Sequence, residues 1–401
     1  MEKYLNAVKV TGNVWWVGAI DWNVRNFHGY STNRGTTYNA FLIIDEKVTL
    51  IDTVKAPFYD EMRARILSVL PSGKIDYLVS LHSEMDHSGA IPRTVAELKP
   101  ERIFASPMGV KALAAHFGSS LNIETLATGD KLPLGSETLA FVETKMLHWP
   151  DSMAAYLDNA KILFSQDAFG MHLASAELFA ENIPAGVLEE EGKKYFANIL
   201  LLQAQKILAL LDSIPGLGFD IDIIAPDHGP LWRGEMCALP LANYRKWALQ
   251  EGKKRAVVVY DTMWNSTAAM AEAIANGIRN AGMAVDVYNL QTIDRSDVMT
   301  ALMDAALLAA GAPTMNNQMF PSMADMLTYM KGLKPKNITA FAFGSFGWSG
   351  EGAKNIHTAL SEMGFAMPLA APLAAKYVPA MEDLKNISEQ AQKIASELDN
   401  Q

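Results

Sequence analysis

One cysteine, Cys237, stands among 401 residues. It cannot form an intrachain disulfide, and it excludes a four-cysteine zinc ribbon, an iron–sulfur cluster or a CxxC redox pair built from this polypeptide alone. Any metal must then rely on histidine and carboxylate. Positive charge is also short: 34 Lys and Arg stand against 44 Asp and Glu, a formal net charge of −10. That balance argues against nucleic-acid binding by phosphate neutralisation. Charged residues make up only 19% and apolar residues 50%, which suits sizeable buried cores rather than a disordered chain. No uninterrupted apolar run reaches about 18 residues, and Met1-Glu2-Lys3-Tyr4-Leu5 lacks the layout of a secretory signal. The expectation is a soluble, cytoplasmic protein with no membrane and no nucleic-acid partner.

At about 100–200 residues per domain, the length predicts two domains. The polar, basic segment 250–255 separates an apparent helix at 241–249 from a buried-strand run at 256–260, which places the domains at 1–250 and 251–401. Upstream, strand-type runs are read at 14–20, 39–44, 48–52, 75–80, 102–105, 138–143, 161–165 and 221–226, with helices at 57–69, 107–117 and 195–214. Two sheets covered by helices are expected. Downstream the pattern alternates: strands at 255–260, 284–289, 304–310 and 338–344 take turns with helices at 267–281, 296–303, 321–331, 351–363 and 382–398. This is the signature of a doubly wound parallel α/β domain.

The strand at 75–80 runs into Leu81-His82-Ser83-Glu84-Met85-Asp86-His87-Ser88-Gly89. In an extended chain side chains repeat every two residues, so His82, Glu84 and Asp86 start on one side, and a turn at Gly89 brings His87 round. Alone, such a stretch reads more readily as a polar loop with a helix-capping Asp. Three further strand-like runs, however, end on a His or Asp: Met146-Leu147-His148, Phe164-Ser165-Gln166-Asp167 and Ala225-Pro226-Asp227-His228-Gly229.

HxExDH followed by a strand-end His, a strand-end Asp and a final DHG resembles the metallo-β-lactamase fold, whose hydrolytic members usually carry HxHxDH. Here Glu84 replaces the second His. Mixed imidazole and carboxylate ligands suit a pair of iron ions that change oxidation state better than two zinc ions. With a fused flavodoxin, the pattern resembles the flavodiiron proteins, or A-type flavoproteins, over essentially the whole chain. The resemblance implies a metallo-β-lactamase-like αββα sandwich followed by a flavodoxin-like doubly wound parallel sheet. It implies one non-haem iron on His82, Glu84 and His148, a second on Asp86, His87 and His228, and Asp167 between them. It also puts segment 21–30 in the substrate pocket, where His28 and Tyr195 are candidates to hydrogen-bond the substrate; a core or surface role is the alternative for both. His116, His172 and His357 are expected in core or surface roles.

After strand 255–260 comes Asp261-Thr262-Met263-Trp264-Asn265-Ser266-Thr267 and an Ala-rich helix. Hydroxyls and bare amides at a helix N-terminus after the first strand of a doubly wound sheet form an anion site. The segment lacks both the GxGxxG fingerprint and the GxxxxGK phosphate loop. Two more loops fall at later strand ends: Pro313, Thr314, Met315, Asn316 and Asn317 in one, and Ser345, Phe346, Gly347, Trp348, Ser349 and Gly350 in the other. The three resemble flavodoxin's FMN loops, with phosphate on Thr262 to Thr267 and the isoalloxazine between the other two. Trp264 and Trp348 lie in turns where a large aromatic gains little burial unless it covers a ligand.

The resemblance implies an oxidoreductase that passes electrons through FMN to two non-haem iron ions and reduces dioxygen to water, nitric oxide to nitrous oxide, or both. Two ferrous ions and FMNH2 together hold the four electrons that dioxygen requires. It implies a head-to-tail homodimer, or a dimer of such dimers, that brings the flavin of one subunit to the irons of the other. Some relatives append a four-cysteine rubredoxin domain. This chain has neither the length nor the cysteines for one, so a separate rubredoxin-type donor is expected. Two other readings remain: a binuclear zinc hydrolase whose flavodoxin-like domain only binds, and an electron carrier with a vestigial metal domain. Glu84 and the flavin-type loops count against the first, and the seven intact ligands count against the second.

Overall fold

The computed structural model describes residues 5–251, 253 and 255–399. Residues 1–4 of the N-terminal segment, and Gly252 and Lys254 of the expected linker, lie outside them. The described residues fall into two compact units, one within Met1–Phe27, Thr32–Tyr195 and Gln203–Ala248, the other within His28–Ser31, Phe196–Leu202 and Leu249–Gln401.

In the first unit, β-branched and aromatic runs build two sheets. One holds, in spatial order, Val8–Thr11, Val14–Trp16, Phe41–Ile43, Thr49–Ile51, Tyr77–Ser80, Arg102–Ala105 and Ile123–Thr125. The other holds Lys131–Pro133, Thr138–Glu143, Met153–Leu157, Ile162–Gln166, Ile223–Pro226 and Trp232–Arg233. Side chains alternate across each strand, so Phe41, Ile51, Val79 and Phe104 of the first share one core with Phe141, Leu157, Phe164 and Ile223 of the second. A fully buried side chain such as Phe164 contributes about 1.5–3 kcal/mol. The other face of the first sheet, with Leu42, Leu50, Leu78 and Ile103, packs on Met62, Ile66, Ile91 and Leu113 of helices Tyr59–Val69, Ile91–Leu98 and Pro107–Phe117. Over the second sheet, Leu163 and Phe219 share a small apolar cavity with Leu210 of helix Ala204–Ser213. The layers are helix, sheet, sheet, helix.

The second unit carries five parallel strands in the spatial order Ala284–Asn289, Arg255–Tyr260, Ala305–Gly311, Thr339–Phe346 and Leu373–Lys376. Helices Ser266–Asn280, Arg295–Leu302, Pro321–Leu333, Glu351–Glu362 and Met381–Asp399 alternate with them. The chain reverses its direction of travel across the sheet after Ala284–Asn289, so the C-terminal ends of Arg255–Tyr260 and Ala305–Gly311 flank the crevice where such sheets bind ligands. Gly277 lets the first and last of these helices touch backbone to backbone, since a Cβ there would lie 2.1 Å from the Ser388 carbonyl oxygen.

Several elements depart from expectation. The run 14–20 is two strands, Val14–Trp16 and Ala19–Asp21, in different sheets. Gly18 is the break: its backbone lies so close to Tyr38 that a Cβ would sit 2.2 Å from the Tyr38 oxygen. The helix expected at 195–214 begins earlier and is interrupted, with α-helix at Ala185–Tyr195, a π-turn at Phe196–Leu200, a 3-10 turn at Leu201–Gln203 and α-helix at Ala204–Ser213. Gly186 and Gly192 weaken the sequence signal of its first part. Met153–Leu157 and Leu373–Lys376 were not anticipated as strands, because their alanines carry little strand preference. The helical stretch Ala185–Leu217 is long and apolar enough by length and composition to cross a membrane, a test that core helices of globular proteins also meet.

Candidate metal centre and flavin cradle

Every candidate metal ligand sits just past the C-terminal end of a strand of the sandwich or in the turn that follows. His82 follows Tyr77–Ser80, His148 lies between Thr138–Glu143 and Met153–Leu157, Asp167 follows Ile162–Gln166, and His228 follows Ile223–Pro226. The last two strands are parallel neighbours, and one extra residue between Phe164 and Gln166 sets Gln166 opposite Pro226. That bulge brings Asp167 level with Asp227, next to His228. The extended reading of 82–86 does not hold. Glu84 caps a one-turn helix, Met85–Ser88, and helical spacing turns Asp86 and His87 to a different side from His82 and Glu84.

The seven residues form two groups. Ligand atoms of His82, Glu84, His148 and Asp167 lie within 4.8 Å of one another, as do those of Asp86, His87 and His228. In the first group, His148 Nε2 is 3.1 Å from both Glu84 Oε2 and Asp167 Oδ2, and His82 Nε2 is 3.3 Å from the same two oxygens. In the second, Asp86 Oδ2 is 3.2 Å from His87 Nε2 and 3.1 Å from His228 Nε2. Asp167 Oδ1 faces this group, 3.4 Å from His87 and 3.6 Å from His228. One carboxylate thus offers one oxygen to each group.

These spacings are those of donors around a shared ion. With bonds of about 2.0–2.2 Å, neighbouring ligand atoms in octahedral or tetrahedral geometry lie about 2.8–3.6 Å apart. His82 Nε2 and Glu84 Oε2 are within hydrogen-bond reach of each other, but both oxygens of Asp86 and of Asp167, and Nε2 of His87 and His228, are buried without a hydrogen bond. Burying three carboxylates this closely costs several kcal/mol per ion unless cations compensate. The donor set fits metal.

Neighbouring groups orient the imidazoles. His228 Nδ1 lies 2.6 Å from the Thr37 carbonyl oxygen, which can only accept. The proton is therefore on Nδ1, and the Nε2 lone pair points into the cluster. Asp151 lies behind His82 and Asp227 behind His87, at 3.6 Å and 3.8 Å from their Nδ1 atoms. Burial opposes charge on His82, but the Asp151 and Glu84 carboxylates push its pKa up to about 10. Burial likewise opposes charge on His148, and Asp167 and Glu84 push it up to about 9. His87 is raised well above its ordinary value: Asp86 and Asp227 override burial. Burial works against ionisation of Asp167 too, yet His148 and His87 hold it well below the usual carboxylate range. The cluster draws cations, protons included.

The other predicted site residues divide. Tyr195 is buried, its ring 5.1 Å from His172 and 6.2 Å from His228. His28 belongs to the second unit, with Gly29, Tyr30 and Ser31. His172, expected in a core or surface role, is buried in the core, but against the second metal group: its ring is 4.5 Å from His228 and 4.9 Å from Phe27, and its Nδ1 is 2.8 Å from Thr36 Oγ1. Its one sequence signal was its position five residues after Asp167.

In the second unit, a cavity of roughly 630 Å³ opens at the crevice. Met263, Trp264, Ser266, the stretch 313–317 and the stretch 345–349 line it. Thr262, Asn265, Thr267 and Gly350 do not, and Tyr377 and Val378, which follow the unanticipated last strand, do. Trp264 is 85% and Trp348 87% exposed, wide apolar surfaces at a cavity rim. Gly347 lies beneath Tyr377, whose ring would sit 3.3 Å from an added Cβ and would have to shift slightly to admit one. Thr262 and Thr267 sit deeper. The Thr267 hydroxyl meets Ser345 Oγ at 2.8 Å, and Thr262 Oγ1 is buried without a partner. No side chain caps the start of helix Ser266–Asn280, so its first amides are oriented to take an anion.

Two family descriptions match the chain: ODP family beta lactamase over residues 36–229 and flavodoxin over residues 258–390. The rubredoxin-oxygen oxidoreductase of Megalodesulfovibrio gigas is 42% identical and the nitric oxide reductase of Moorella thermoacetica 39% identical, each match covering 98% of both chains. The crystal structure of the flavodiiron protein from Giardia intestinalis, 32% identical, superposes with a TM-score of 0.94 over 98% of this chain and 97% of that one.

Proposed function

The chain belongs to the flavodiiron proteins, and on that premise we propose that it takes electrons from a rubredoxin-type donor and reduces dioxygen to water or nitric oxide to nitrous oxide. The observation that carries this reading is the division of Asp167, with one oxygen toward His82 and His148 and the other toward His87 and His228. In this reading His82, Glu84 and His148 hold one iron, Asp86, His87 and His228 hold the other, and Asp167 joins them. Bound there, the pair of iron ions supplies redox electrons and open positions for a diatomic molecule, and FMN supplies two further electrons.

The chain's own groups do the rest. Thr37 keeps the His228 proton on the outward nitrogen, and the Asp151 carboxylate behind His82 biases that imidazole the same way, so that the inward lone pairs stay available. Dioxygen needs four protons to become two waters, and two nitric oxides need two protons to become nitrous oxide and water. Tyr195 and His172 stand beside His228 with groups able to carry protons, and His28 and Tyr195 are assigned to hydrogen-bond the substrate. Phe27 and Tyr38, each with its ring centroid 6.1 Å from that of His228, limit water on this side. For FMN, Thr262 to Thr267 take the phosphate at the helix start, and the cavity between Trp264, Trp348 and Tyr377 takes the isoalloxazine.

The relatives' oxidoreductase names favour this reading over a binuclear zinc hydrolase. A head-to-tail homodimer and a cytoplasmic location complete the proposal. Metal and flavin analysis of the purified protein tests it: two irons and one FMN per chain are expected, and zinc without flavin absorbance would contradict it.

A further inference from the structure

Asp261 follows strand Arg255–Tyr260 and opens the loop that leads to helix Ser266–Asn280. Its side chain is buried, one position before the stretch Thr262 to Thr267 that takes a phosphate in the reading above. Coulomb repulsion between a carboxylate and that phosphate works against binding, so the presence of Asp261 calls for a geometric reason. Its hydrogen bonds supply one. Oδ1 accepts the Thr262 amide at 2.6 Å and the Gln291 side-chain amide at 2.9 Å, and Oδ2 accepts the Ser322 hydroxyl. The same Gln291 nitrogen donates to the Thr262 carbonyl at 2.6 Å. Gln291 lies just past strand Ala284–Asn289, and Ser322 is in the first turn of helix Pro321–Leu333. The carboxylate thus ties the start of the loop to two elements distant in sequence.

Both polar groups of the Thr262 backbone are thereby occupied. A phosphate cradle presents amides and hydroxyls and keeps carbonyl oxygens turned away, and Gln291 takes up the Thr262 carbonyl. The Thr262 hydroxyl is left buried without a hydrogen-bond partner. Neither Asp261 nor Gln291 lines the flavin cavity. Whatever they do for the flavin they do through the loop.

We propose that Asp261 is a positioning residue for the FMN phosphate: together with Gln291 it fixes the Thr262 peptide, so that the carbonyl is turned out of the phosphate site and the hydroxyl stays available to the phosphate. The inference rests on the reading of Thr262 to Thr267 as the phosphate loop.

The test titrates the full chain, stripped of flavin, with FMN and with riboflavin, which lacks the phosphate, and follows flavin fluorescence for the parent, D261A, D261N and Q291A. The parent should bind FMN more tightly than riboflavin. D261A and Q291A should each raise the FMN Kd on the order of tenfold and leave the riboflavin Kd unchanged, because a preset loop lowers the ordering cost of the phosphate contacts alone. D261N keeps an accepting oxygen for Thr262 and Gln291 and turns its amide to Ser322, so its FMN Kd should stay within about threefold of the parent's. Parental FMN affinity in either D261A or Q291A overturns the inference, as does an equal loss for FMN and riboflavin, which marks general damage to the flavin-binding unit. A D261N variant as weak as D261A overturns it too, since an uncharged side chain of the same shape would then do no better than none. A parent that binds riboflavin as tightly as FMN overturns the phosphate reading and the inference with it. Should D261A fail to fold, Q291A decides, because its side chain is exposed: a loss confined to FMN supports the inference, and any other result overturns it.

Discussion

Asp151 stands directly behind His82, its Oδ1 3.6 Å from His82 Nδ1 while its Oδ2 accepts the Ser83 amide at 2.6 Å. The second contact fixes the carboxylate, and the first biases the imidazole to keep its proton on the outward nitrogen. Asp151→Asn preserves shape and removes the charge. Metal affinity should fall about 10- to 100-fold, the usual cost of losing such an outer partner, as read by chelator competition. Parental affinity would show that Asp151 does not tune His82.

Asp167 serves both metal groups, so Asp167→Asn should weaken both positions together. Atomic-absorption analysis of the variant should find less than one iron per chain where the parent is expected to hold two. Loss of a single iron would mean that the carboxylate belongs to one group only.

The raised pKa values of His82, about 10, and His148, about 9, mean that both imidazoles carry protons at pH 7 when no metal is bound. A metal ion must displace them. Affinity should therefore rise with pH between 6 and 9, and ferrous ion added anaerobically at pH 7 should release protons that an indicator dye detects. Stability of the metal-free protein follows from the same shifts. The folded-state values exceed the ordinary value of about 6.5, so the contribution is complete below that pH and is lost as pH rises through about 9 and then 10. A metal-free melting temperature that climbs over this range would contradict the assignment.

Trp348 is 87% exposed at the rim of the cavity, so Trp348→Ala removes little packing. Chain stability should change by no more than about 0.5 kcal/mol, while the FMN dissociation constant rises on the order of tenfold, as fluorescence titration would measure. A large loss of stability at unchanged flavin affinity would make Trp348 a structural residue.

What was legible in the sequence followed from periodicity and from strand ends. The alternating second half fixed a parallel sheet, and HxExDH with later His and Asp residues at strand ends indicated a metal centre. Three things were not legible. The one-turn helix Met85–Ser88 is set by tertiary packing, because four residues carry no helical period. The bulge before Gln166, which sets the register of Asp167 against the Asp227-His228 turn, depends on pairing with a strand about 60 residues away. Tyr377 and His172 join their sites through folding alone, with no motif around them, and the Ala-rich strand before Tyr377 gave no warning of it.

The most direct measurement is anaerobic reduction of the iron- and FMN-loaded protein, then stopped-flow mixing with dioxygen and, separately, with nitric oxide. The account predicts rapid flavin reoxidation with at least one of the two gases. It also predicts that His148→Asn abolishes both reactions while keeping FMN bound, because His148 Nε2 faces Glu84 and Asp167 at 3.1 Å. No turnover with either gas, or a His148→Asn variant that still turns over, would contradict it.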